Sequence, residues 1–177
     1  MRPRCIAYIA VSADGYIADA GGGLDWLAAY DARAYGYDAF LASIGTIVMG
    51  RSTYDDVLRQ GAWPYPGKTA FVLTGRPLPE TPAGADARAF ADVRELAAAM
   101  RVPGGPDVWI EGGGRTLRAL LDLGAVDRLD LFVIPVLLGD GIPLFPRAGP
   151  RRSLILESTR AFPDGVVALT YGVAHAA

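Results

Sequence analysis

Three short turns in this 177-residue chain carry the residue types that grip phosphate. The first is Gly50-Arg51-Ser52-Thr53, the second Thr74-Gly75-Arg76, and the third Gly112-Gly113-Gly114-Arg115-Thr116. Glycine lets a ligand approach the backbone with no Cβ in the way. Arginine forks onto phosphate oxygens, and serine and threonine either cap a helix or donate to the anion. Each turn follows an apolar run that reads as a buried strand: Thr46 to Met49, Thr69 to Leu73, and Val108 to Ile110. Helical spacing follows the first turn (Tyr54, Val57, Leu58) and the third (Leu117, Leu120, Leu121, Leu123), with Gly124 placed to end the latter helix. A strand, a glycine turn and a helix N-terminus together suit an anion, because the first amides of the helix are free and its dipole is positive there. The third turn is neither G-x-G-x-x-G nor a P-loop. Taken singly, each turn reads equally well as a plain connection; taken together, two phosphate-sized turns and two arginines suit a phosphorylated dinucleotide, with Arg51 or Arg76 on an additional 2′-phosphate.

The elements that would position these turns alternate strand and helix, which predicts an α/β fold with a mainly parallel sheet. Cys5 to Val11 reads as a central strand covered on both faces, and it runs into a polar loop through Asp19 to Gly23. Leu131 to Leu138 reads as a long apolar strand and Gly139 to Pro143 as a loop. Phe162-Pro163-Asp164-Gly165 is a strong turn between two last strands, so the chain is expected to end in an antiparallel hairpin. Asp92 stands where it would cap a helix through Val93 and Met100. No repeat or domain boundary is visible, and residues 1–177 read as a single domain.

Composition narrows the chemistry. The chain is 51% hydrophobic and 20% charged, with a net charge of −2 and no run of like charges. It therefore reads as globular, with no general nucleic-acid surface. One cysteine (Cys5) and one histidine (His175) supply neither a zinc site from the usual ligands nor a Ser-His or Cys-His pair. With no signal peptide and no spanning apolar run, a cytoplasmic protein is expected.

The ordered set of segments resembles the dihydrofolate reductase-like superfamily, specifically bacterial proteins similar to the C-terminal reductase domain of the bifunctional riboflavin-biosynthesis deaminase/reductase. The matching stretches run from Ser12 to Ala18, Leu24 to Trp26, Ile47 to Tyr54, Val72 to Arg76, Glu111 to Gly114 and Asp130 to Gly141. The resemblance implies that superfamily's three-layer α/β fold, with a mainly parallel central sheet, an antiparallel C-terminal hairpin and flanking helices. It implies NADPH as hydride donor to a pteridine-like or pyrimidine heterocycle. Ala10 and Ile17 would meet the nicotinamide. Gly50, Arg51, Ser52 and Thr53 would hold adenosine-side phosphates, and Thr74, Gly75 and Arg76 would lie by the 2′-phosphate. Gly112 to Thr116, preceded by Glu111, would cradle the pyrophosphate. A homodimer is implied too.

The substrate side is less marked. A buried acid of raised pKa would serve protonation. Asp25 and Asp31, beside Trp26, are the candidates, with Asp38 more distant. Each also reads as a cap or a solvated charge. The alternative is a non-catalytic nucleotide-binding module, distinguished by whether bound NADPH is oxidised.

Overall fold

The computed structural model describes residues 2–146 and 149–174. His175 lies outside the described residues. The strands are β1 (Cys5–Ser12), β2 (Tyr16–Ala18), β3 (Ile44–Gly50), β4 (Thr69–Leu73), β5 (Asp86–Phe90), β6 (Asp107–Gly112), β7 (Arg128–Ile134), β8 (Ile142–Pro143), β9 (Leu154–Ala161) and β10 (Val167–Val173). Four α-helices accompany them: α1 (Tyr37–Ser43), α2 (Arg51–Arg59), α3 (Val93–Ala99) and α4 (Gly114–Asp122). Eight strands form one sheet in the order β5-β4-β3-β6-β1-β7-β10-β9. Its pairs are parallel from β5 to β7, and β10 alone runs against its neighbours β7 and β9. The result is an α/β fold whose sheet is mainly parallel with an antiparallel end.

Both faces of the central strands are covered, which explains why β1, β3 and β6 read as near-continuous apolar runs. On one face, Cys5, Ala7, Ile9 and Val11 pack with Val108 and Ile110 against Leu96 and Met100 from the α3 region and Leu117, Leu120 and Leu121 of α4. On the other, Ile47, Met49 and Trp109 pack with Tyr54 and Val57 of α2 and with Trp63 and Tyr65 from the loop that follows it. Cys5 is buried, and burial pushes its thiol up to about 11, so it acts as a small core side chain. Asp92 caps α3 by accepting from the amides of Arg94 and Glu95 at 2.7 and 3.1 Å.

Three local expectations need correction. The apolar run Leu131 to Leu138 is not one strand: β7 ends at Ile134. Pro135 offers no amide to a ladder. The amide of Val136 turns back to Ile134 O at 2.7 Å, while Val136 O accepts from Ala13 at 2.9 Å. Leu137 is consequently 75% exposed. Second, Ile142–Pro143 is not loop but β8, antiparallel to β2 in a two-stranded sheet. Third, of the two roles open to Ser52 and Thr53, capping α2 is not taken up: the N-cap is Gly50, with no side-chain cap bond.

Leu120 is fully buried between α4 and the sheet. Leu120→Ala is expected to lower unfolding free energy by about 2–5 kcal/mol, through lost transfer energy plus a cavity. Urea denaturation with an unchanged m-value checks it.

Candidate functional site

The parallel register places the C-terminal ends of β4, β3, β6 and β1 side by side. Four polar segments therefore line one edge, spanning roughly 14 Å at the usual strand spacing. Thr74 to Arg76 follow β4, Gly50 to Thr53 follow β3, Gly112 to Thr116 follow β6, and the loop leading to Ile17 follows β1. Open parallel sheets bind ligands at this edge.

Contacts between these segments are close. A Cβ on Gly113 would stand 3.7 Å from Thr53 Oγ1 and 4.0 Å from Ile17 Cδ1, so three separate expected segments meet at one point. A Cβ on Gly50 would stand 2.6 Å from Thr116 Oγ1. Thr116 is buried and fills the space between the two turns, while Arg115 is exposed. Gly114 is held against the backbone carbonyls of Pro143 and Leu144, where a Cβ would come within 2.5 and 2.6 Å. Gly112 has φ +140°, a conformation that suits glycine, and the Gly112–Gly113 peptide is cis. Helices α2 and α4 start at Gly50 and Gly113, and neither N-cap has a side-chain hydrogen bond. Both helices thus present amides and the positive end of the dipole to the same edge. A phosphorylated ligand fits this donor set.

The two arginines differ. Arg51 Nε lies 2.7 and 2.9 Å from the Asp55 carboxylate, and its Nη1 donates to Pro77 O at 2.9 Å. Its guanidinium ties α2 to the segment after β4. Arg76 is exposed at the edge, and its amide donates to Thr74 Oγ1 at 3.1 Å. Thr74 is buried and shapes the turn.

The mouth of the site is pinned by a carboxylate that the sequence reading passed over. Asp14 accepts from Ser12 Oγ at 2.6 Å, from the Leu138 amide at 3.2 Å and from the Gly139 amide at 2.7 Å. These bonds hold its carboxyl below the usual range and fasten the loop after β1 to the loop after β7.

On the substrate side, Asp25 and Asp31 are exposed. Asp31 caps a 3-10 turn by accepting from the Arg33 amide at 3.0 Å. Asp38 is also exposed and pairs with Arg33 at 3.8 Å. Trp26 packs with Phe132 and Ile134, and its indole N–H is buried without a hydrogen-bond partner among the described residues. A carboxyl of different character lies on half-buried Glu111, at the C-terminal end of β6 beside the Trp63, Tyr65 and Trp109 cluster. Oε1 accepts a hydrogen bond from Tyr65 Oη, and Oε2 is buried with no partner among the described residues. Burial raises its pKa to about 7, against the lowering effect of the Tyr65 bond. The sequence grouped Glu111 with the glycine turn. Alternation along β6 already put it on the Trp109 face, among aromatic rings and away from the helix α4 side.

Residues 72–168 match the RibD C-terminal domain family. YwjB of Bacillus subtilis strain 168 is 35% identical over 173 residues, 94% of this chain and 96% of that protein. The crystal structure of a Shewanella sp. PV-4 protein named for riboflavin biosynthesis is similar with a TM-score of 0.82 at 31% identity, covering 97% of this chain and 99% of that one. Dihydrofolate reductase from Enterococcus faecalis, complexed with NADP(H), shares the fold with a TM-score of 0.66 at 20% identity, covering 99% of this chain and all of that one (100%).

The Glu111 carboxyl makes a pH prediction. Its folded pKa of about 7 lies above the ordinary 4.5, so the native state holds the extra proton between those values. Stability should therefore fall as pH rises from about 4.5 to 7, by at most about 3 kcal/mol from this group. Glu111→Gln should remove that fall, so its stability relative to wild type should climb across the window; denaturant melts at pH 4.5, 6 and 8 measure it.

Proposed function

Because the chain belongs to the RibD C-terminal domain family and has a reductase-like fold, we propose that it is an NADPH-dependent reductase that transfers a hydride to a pteridine-like or pyrimidine heterocycle. The observation that carries this reading is the meeting of Ile17, Thr53 and Gly113 at one strand edge, between two uncapped helix N-termini. The amides and hydroxyls of Gly50 to Thr53 and the amides of Gly112 to Thr116 hold the phosphates. Arg76, whose guanidinium is exposed at the edge, takes the 2′-phosphate; Arg51 positions α2 against the neighbouring turn. Ala10 and Ile17 flank the nicotinamide. NADPH, when bound, supplies the hydride.

Reducing a C=N bond also needs a proton. We assign it to Glu111 in preference to the exposed Asp25 and Asp31: a buried carboxyl of raised pKa carries a proton near neutrality on Oε2. Tyr65 holds the other oxygen and fixes the carboxyl plane. Trp26 walls the substrate side. The exposed apolar residues Leu154, Ile155 and Leu156 on edge strand β9 support a homodimer.

Arg76→Ala should weaken NADPH binding about ten- to hundredfold while leaving NADH binding within threefold, because only one of the two carries the 2′-phosphate. Fluorescence titration with both nucleotides checks this. Absence of saturable NADPH binding to wild type would overturn the reductase reading. Binding without oxidation by any heterocycle would leave a nucleotide-binding module.

A further inference from the structure

The loop after β1 and the loop after β7 close on one another beside the polar edge, and Ile17 sits where they join. Both neighbours of Ile17 pair with β8: Tyr16 stands opposite Pro143 and Ala18 opposite Ile142. The Leu144 amide donates to Gly15 O at 3.0 Å, and the Ala13 amide to Val136 O at 2.9 Å. Two strands this short are marginal by themselves. The Asp14 carboxylate adds side-chain support by taking the Leu138 amide at 3.2 Å and the Gly139 amide at 2.7 Å. The same carboxylate orients Ser12. The Ser12 hydroxyl donates its one proton to Asp14 Oδ1 at 2.6 Å, so its oxygen is left to accept from the Tyr16 amide at 2.8 Å. One side chain thus reaches both strands of this strap, β2 through Ser12 and β8 through the amides that precede it. The other side of the strap meets the cradle. The carbonyls of Pro143 and Leu144 press on Gly114, and Ile17 Cδ1 lies 4.0 Å from where a Gly113 Cβ would stand.

We propose that Asp14 is a positioning residue for the nicotinamide end of the cofactor: by latching the β2–β8 strap it holds Ile17 against the ring. The proposal rests on the reductase reading, which sets Ile17 beside the nicotinamide. The carboxylate already accepts from three donors, so it acts through Ile17 and not on the cofactor itself. None of these bonds involves the turns after β3 and β4, where Thr53 and Arg76 stand. The latch therefore separates the grip on the ring from the grip on the phosphates.

Calorimetric titration with NADPH and with 2′-phospho-ADP-ribose, which keeps every phosphate and lacks the nicotinamide, tests the assignment. Wild type is expected to bind NADPH about tenfold or more tightly than the fragment. In Asp14→Ala the two affinities should come within about threefold of each other through loss on the NADPH side, with the fragment bound within about threefold of wild type. A general loosening of the fold would weaken both ligands alike. An unchanged preference for NADPH in Asp14→Ala, equal weakening of the two ligands, or a wild type that binds the two equally would each overturn the proposal and leave the cofactor reading in place. A wild type that binds neither ligand would overturn the cofactor reading and the proposal with it. If Asp14→Ala does not fold, Ser12→Ala, which cuts the link from Asp14 to the Tyr16 amide, is judged by the same contrast.

Discussion

The parallel alignment of β4, β3, β6 and β1 is the constraint on which the site depends. Parallel neighbours bring like ends together, so whatever follows each strand is delivered to one edge. The buried ladder sets this alignment: Ile47 and Val48 sit opposite Trp109 and Ile110, with Ala70 and Phe71 on the other side. A slip of one residue would turn each side chain to the wrong face and break both packed layers. The glycines then decide how near the turns can come. Gly50 accommodates Thr116, Gly113 leaves room beside Thr53 and Ile17, and Gly114 lies against the Pro143 and Leu144 carbonyls. The core thus sets the site by register, and the missing Cβ atoms set its width.

Charge is distributed around this edge with a division of labour. Arg51 spends its guanidinium on Asp55 and Pro77 and works as a strut. Arg76 keeps its charge in solvent, where screening limits a permanent partner and leaves it able to pair with an incoming anion. Asp14 serves structure rather than chemistry, joining two loops through Ser12, Leu138 and Gly139. Glu111 is the opposite case: enclosed beside Tyr65, it is pushed toward neutrality rather than held ionised. Two carboxylates, one in the loop after β1 and one on β6, thus have their pKa values moved in opposite directions by their surroundings.

The fold and the gathering of the three turns at one strand edge are legible in the chain because they rest on local signals. Apolar runs ending in glycine turns mark strand C-termini, and the pattern for β3, β4 and β6 needs no tertiary knowledge. Asp92 as a cap and the Phe162–Gly165 turn are equally local. What stayed hidden depends on packing. Nothing in the sequence tells that Arg51 is engaged by Asp55 and Pro77, since i,i+4 pairs and free arginines look alike. Glu111 was hidden by its glycine neighbours, and its burial comes from Tyr65, 46 positions away. The strand assigned through Leu138 failed at Pro135, where hydropathy outweighed the missing amide. Spacing from Trp26 points to Asp25 and Asp31, whereas the raised pKa of Glu111 comes from burial, a property of the assembled chain.

Backbone amide NMR with NADPH added stepwise tests the shared binding track most directly. The account predicts saturable shifts concentrated on Gly50 to Thr53, Gly75 to Arg76, Gly112 to Thr116 and Ile17, titrating together with one dissociation constant. Shifts confined to one turn, or centred away from the C-terminal ends of β4, β3, β6 and β1, would contradict it.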